Sequence, residues 1–190
     1  MHRLRIDGRR SDHADTRAGA TMAFVKNVLF GGRGTATVGG DLMLAVVRVS
    51  LGIFMCVGHG LGKVFPGGSL GPPQGLIDGV TTMGFPMPTL FAWAAGLTEF
   101  LGAALLALGL LTRPAAAGLV FTMGVAAFVV HANDPWFMTG TGGSKEPAML
   151  YLFPFLLFLV IGGGRFSIDA LLRRPKPRVD IVPITTSPVR

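Results

Sequence analysis

The chain is 190 residues long, with 17 basic and 10 acidic residues that give a formal net charge of +7 and a sequence pI of about 10.8. Half of its residues are hydrophobic and only eight charged side chains fall between positions 42 and 164, so the apolar stretches are too long and too closely spaced for a soluble domain of this size to bury. These stretches are continuous blocks without period-two alternation, which also excludes a membrane β-barrel and leaves an all-α integral membrane protein.

Residues 1–40 form a basic segment expected to be largely disordered, because 1–21 are charged, poor in apolar side chains and without helical period; Met22 is an alternative start. A spanning helix needs about 20 mostly apolar residues, and the first block of that kind, 42–63, follows Gly39 and Gly40. Behind a long polar segment and without a small-residue cleavage site after it, this block is expected to stay in the membrane rather than be removed as a signal peptide. Cys56 lies within it and is the chain's one cysteine, which excludes an intrachain disulfide, a CxxC pair, a Cys-rich zinc site and c-type haem attachment. No element is predicted for GGSLGPPQGLIDG in the connection 64–88.

Pro86 and Pro88 precede the second block, 89–111, and Thr112-Arg113-Pro114 makes a tight turn into the third, 115–131. Pro147 opens the fourth, 148–164, where Pro154 is expected to introduce a kink. RFSIDALLRR then predicts a short amphipathic helix over about 167–174, N-capped by Ser167 and anchored along the cytoplasmic headgroups. The proline-rich tail, 175–190, is expected to be extended or disordered. Residues 41–172 are thus predicted to form a membrane-embedded antiparallel four-helix bundle.

Basic residues crowd before the first block and after the fourth, and Arg113 sits in the turn between the second and third. The connections 64–88 and 132–147 hold Lys145 as their only basic residue. By the positive-inside rule both termini and the Arg113 turn are cytoplasmic, in an inner membrane, and the two connections face outward. The basic ends suit anionic lipid headgroups rather than nucleic acid, since no DNA-binding motif accompanies them. Trp93, Trp136, Phe137 and Tyr151 suit an interfacial aromatic belt.

Charges at membrane depth are costly, about 2.5 to 3.5 kcal/mol each on insertion scales, and need a partner or a wet cavity. At 100° per residue, Arg48 and His59 differ by about 20° and Lys63 by about 40° more, so the first span carries one polar stripe. Glu99, the ionisable residue of the second span, lies among Ala92, Ala95, Gly96, Gly102 and Ala103, a close-packing face that turns it inward. The small face of the third span ends in His131. A rise of about 1.5 Å per residue puts Glu99 near mid-membrane and Arg48 roughly 9 Å from it in depth, with His59, Lys63, His131 and Glu146 toward the outer end. Glu99 is expected to pair with Arg48 or with one of that outer group, and His59, Lys63, His131 and Glu146 to line one outward polar cavity. The plainer alternatives are a buried Arg48–Glu99 pair that only fixes packing, and Lys63 and Arg113 snorkelling to headgroups.

These residues carry a resemblance. RVSLGIFMCVGHGLGKVF (48–65), MGFPMP (83–88), AGLTEFLGAALLALGLLTRPAA (95–116), His131, KEPAMLYL (145–152) and GGGRFSIDALL (162–172) run in an order similar to that of the DoxX family of small four-helix membrane proteins. The resemblance spans about 125 residues, departing where Gly163 replaces a frequent proline, and it places the family's recurrent polar residues on Arg48, His59, Lys63, Glu99, Arg113, His131 and Glu146. It implies a cytoplasmic-membrane protein linked to redox metabolism, with relatives tied to quinone-coupled thiosulfate oxidation and to complexes with superoxide dismutase and a sulfurtransferase.

Several functions are compatible with this reading. One is an oxidoreductase component that binds a quinone or similar carrier in the bundle; lacking a flavin fingerprint, paired cysteines or cluster ligands, it would depend on a partner or bound cofactor for electrons. Another is a non-catalytic membrane anchor for redox enzymes such as superoxide dismutase and a sulfurtransferase. A third is a small transporter of an oxyanion or weak acid, with Arg48, Lys63 and Arg113 as attracting charges. A metal or bis-histidine haem site through His59 and His131 is a fourth. Glycine-rich faces would permit a homodimer.

Overall fold

A computed structural model describes residues 19, 21–26, 29–31, 34–140 and 142–173. Most of the N-terminal stretch 1–21 and the tail 175–190, both expected to be disordered, lie outside the described residues, whereas 21–26 are helical. Among the described residues all regular secondary structure is helical. From Val38 onward its main elements are α1 (Val38–Val64), α2 (Gln74–Thr82), α3 (Pro88–Leu108), α4 (Thr112–Val130), α5 (Glu146–Ile161) and α6 (Ile168–Arg173). α1, α3 and α4 are each long and apolar enough to cross a membrane, and α5 is apolar but shorter, at 16 residues.

Local chemistry sets the ends. Thr37 is extended and its hydroxyl accepts from Gly40 N at 3.1 Å, an N-cap that starts α1 four residues before the predicted block. Gly109, at φ 69°, closes α3 in the left-handed region that glycine adopts without steric cost. α5 begins with Pro147 in its first turn, carries Pro154 in its interior, and stops at Gly162 with φ 77°.

α1 and α3 run antiparallel in a register set by close approach. A Cβ on Gly60 would stand 2.5 Å from Phe100 N, one on Gly52 2.6 Å from Ala107 Cβ, and one on Gly96 3.2 Å from Lys63 Cβ. Small residues therefore let the two backbones touch, as interfaces in lipid require. α3 returns through its tight turn to α4, which packs along α5. Met55, Leu106, Leu119, Phe155 and Phe158 fill the interior and are fully buried. Large apolar side chains cover the outside as well: Phe54 is 64%, Val160 69% and Phe121 71% exposed. A surface of that kind is solvated by acyl chains; this is an integral membrane protein of the helical-bundle class.

Each of the three long helices contains one π-helical turn, at Cys56–Gly60, Thr98–Gly102 and Ala126–Val130. The first two pack on each other. Such turns insert a residue into the helical repeat and are frequent at functional sites.

At the Arg113 end a polar network ties the bundle together. Asp41, fully buried, pairs with Arg165 at 2.7 Å and accepts from Thr35 N at 2.6 Å. Asp169 accepts from Leu111 N (2.8 Å), Thr112 N (2.9 Å) and Thr112 Oγ1 (2.7 Å), so α6 caps the start of α4. Ser167 does accept from Ala170 N at 3.2 Å, as an N-cap. α6 turns Asp169 into this network and leaves Leu171 and Leu172 exposed. α2 is an element that the sequence reading did not supply.

Candidate functional site

A cavity of about 280 Å³ opens at the other end of the bundle, between α3, α4, the last turn of α1 and the short helix α2. Its walls are mostly apolar: Val80 comes from α2, Phe91 and Ala95 from α3, Phe121 and Val125 from α4. Phe91, Phe121 and Val130 are themselves exposed, so the mouth lies on a surface that faces acyl chains. Polar groups are few and grouped. Lys63, Thr98, Glu99, Thr122 and His131 line the same space.

Glu99 is carried by the π turn of α3 and Lys63 by the turn that follows the π turn of α1. The antiparallel register makes them neighbours. Lys63 Nζ donates to both carboxylate oxygens of Glu99, at 2.6 and 2.5 Å. The Glu99 side chain is 3% exposed and that of Lys63 31%, so the acid is the buried partner and the ammonium its connection to the cavity. A carboxylate this deep is tolerable because the pair is charge-assisted and bidentate. Two of the three Lys63 N–H groups are used by this pair.

His131 ends α4 and borders the cavity; its Nδ1 is 2.7 Å from Asp134 Oδ2. The loop that holds Asp134 is pinned by Lys145, whose Nζ donates to Ala132 O at 2.9 Å and Asp134 O at 2.5 Å and stands 5.5 Å from the centre of the Trp136 ring. Lys145 is buried although it belongs to a connection between helices.

The structure thus brings Lys63, Glu99 and His131 together and leaves the other predicted residues elsewhere. Arg48 does not reach Glu99. It donates to Leu106 O (2.7 Å), Ala107 O (2.6 Å) and Phe166 O (2.8 Å), because the helix register sets it opposite the end of α3 while Glu99 stands opposite Lys63. His59 is exposed and meets Tyr151 of α5 edge-on at 5.4 Å. The single stripe from Arg48 to Lys63 fails at Cys56–Gly60, where a π turn breaks the count of 100° per residue. Glu146 accepts from Met138 N at 2.8 Å and organises the loop instead of the cavity. Arg113 donates to Val160 O at 2.6 Å. Among the described residues no three His, Cys, Asp or Glu side chains converge as a metal site would need.

Asp134 and Lys145 escaped the sequence reading of the site, since polar residues in a connection carry no burial signal. A spacing cue existed: His131 and Asp134 are three residues apart at a helix end.

Residues 43–132 match the DoxX family. An uncharacterized protein of Haemophilus influenzae is 34% identical over 129 residues, covering 66% of this chain and 87% of that relative. The chain belongs to the DoxX family. A second relative, the inner membrane protein YphA of Escherichia coli, is 34% identical over 104 residues, 50% of this chain and 71% of its own length. No solved structure matches. The DoxX match contains Lys63, Glu99 and His131, and it ends before Asp134, Lys145 and Glu146.

Proposed function

We propose that this DoxX protein is the membrane subunit of a redox system and binds a quinone, or a similar lipid-soluble ring, in the cavity of the bundle. The observation that carries this reading is the combination of a mouth on the lipid-facing surface, apolar walls, and the Lys63–Glu99 pair with His131 as the polar groups. Small-molecule sites are mostly apolar with a few convergent polar groups, and range over roughly 300–1,000 Å³. At about 280 Å³ this cavity suits a ring-sized head whose chain remains among the lipids. The protein's part in such chemistry is to bind, orient and exchange protons with the ring, while electrons come from a partner or bound cofactor. The positive-inside pattern and the inner-membrane relative support an inner-membrane location with both ends of the chain in the cytoplasm. The four-span topology, with α5 as the fourth span, belongs to the same proposal.

The test is organic extraction of the protein purified in mild detergent, followed by mass spectrometry. Wild type is expected to retain a prenylated quinone near one equivalent, and Ala95→Trp, which fills the cavity, to lose it. Equal amounts in both would contradict the reading and favour a non-catalytic anchor.

A further inference from the structure

The proposed site has a feature that narrows its ligand further. The Asp134 carboxylate can only accept a hydrogen bond, so the neutral His131 ring must carry its hydrogen on Nδ1 to make the 2.7 Å contact. Its Nε2 is then a bare acceptor, on a ring that borders the cavity. Lys63, on the same cavity, has one N–H beyond the two given to Glu99 and can only donate. The cavity therefore offers a fixed acceptor on His131 and a fixed donor on Lys63, beside the Thr98 and Thr122 hydroxyls, which can turn to serve as either.

We propose that the Asp134–His131 pair makes this cavity selective for the hydroxyl form of its ligand, a hydroquinone or related phenol, over the corresponding quinone. This rests on the cavity being a ring-binding site. A hydroquinone satisfies both groups: one hydroxyl donates to His131 Nε2 and the oxygen of the other accepts from Lys63. A quinone has two acceptor oxygens, which Lys63 or a threonine hydroxyl can meet, but it has no hydrogen to give the Nε2 lone pair, which stays unmatched. Binding itself transfers neither electron nor proton. The support for the pair is built in. A Cβ on Gly143 would stand 2.5 Å from Asp134 Oδ2 and 3.3 Å from His131 Nδ1, and Lys145 fixes the Asp134 carbonyl from below.

The experiment titrates the full-length protein in nanodiscs at pH 8, without oxygen, with decylubiquinone and with its hydroquinone, following tryptophan fluorescence. Wild type is expected to bind the hydroquinone about tenfold tighter, which raises the midpoint potential of the bound two-electron couple by about 30 mV. In Asp134→Asn the two affinities should come within about twofold, because an amide donates or accepts and no longer dictates the tautomer. Equal wild-type affinities, or a preference that survives Asp134→Asn, would overturn this inference and leave the cavity reading in place. Failure of both forms to bind would sink both. ¹⁵N-histidine NMR of the wild-type protein tests the same point without a variant: His131 should show hydrogen on Nδ1 and none on Nε2, and hydrogen on Nε2 would overturn the proposal.

Discussion

Lys63 and Glu99 form one ion pair, but its two halves are not equivalent. Glu99 has a 3% exposed side chain and Lys63 a 31% exposed one, so losing the lysine strands a buried carboxylate while losing the acid frees an ammonium that can turn into the cavity. Lys63→Met should therefore destabilise by about 3–5 kcal/mol, and Glu99→Gln by about 1–2 kcal/mol. Thermal unfolding in detergent reads the order directly, and a larger loss in Glu99→Gln would contradict the assignment of the buried partner. At the opposite end, Asp169→Ala removes the acceptor of three donors on Leu111 and Thr112, for an expected loss of about 3 kcal/mol. An unchanged melting temperature would show that α6 does not cap α4.

Between elements, the closest approach is at Gly60, where an added Cβ would collide with the Phe100 backbone; at Gly58 and Gly62 nothing lies within 4 Å. Gly60→Ala is expected to cost about 1–3 kcal/mol through overpacking, whereas Gly58→Ala and Gly62→Ala should be neutral or stabilising by up to about 1 kcal/mol. Three equal melting temperatures would sink the crossing. The same elements show how far the amino-acid pattern could be read. The four apolar blocks and the inward placement of Glu99 followed from hydropathy and from the cost of a charge in lipid, and the observed helices Val38–Val64, Pro88–Leu108, Thr112–Val130 and Glu146–Ile161 begin one to four residues earlier because caps and prolines join them. The partner of Glu99 was left between Arg48 and the outer group, because depth counted from block edges carries an error of a turn or more. What decides it is which glycines let backbones touch. His59 went astray through π-helical winding, and α2 because its Gly- and Pro-rich surroundings mask a nine-residue helix that has no run of apolar residues.

For the whole molecule, the proposed orientation sets the cavity on the outward side and the Asp41, Arg48 and Asp169 network on the cytoplasmic side. In a Cys56→Ser background, a membrane-impermeant thiol reagent applied to spheroplasts should label Thr139→Cys and not Leu172→Cys. The reverse pattern would invert the molecule. In the proposed function the lipid-facing mouth is the carrier's entry from the membrane, and the Asp134–His131 pair, each side chain between a third and two fifths exposed, is the proposed link between the ring and water. Photo-cross-linking with a diazirine-bearing quinone, competed by unlabelled decylubiquinone, tests that claim most directly. Adducts are expected on residues 76–85, 91–99 and 121–131 and should vanish with competitor; adducts spread over the lipid-facing side of α1, or insensitive to competitor, would contradict the account.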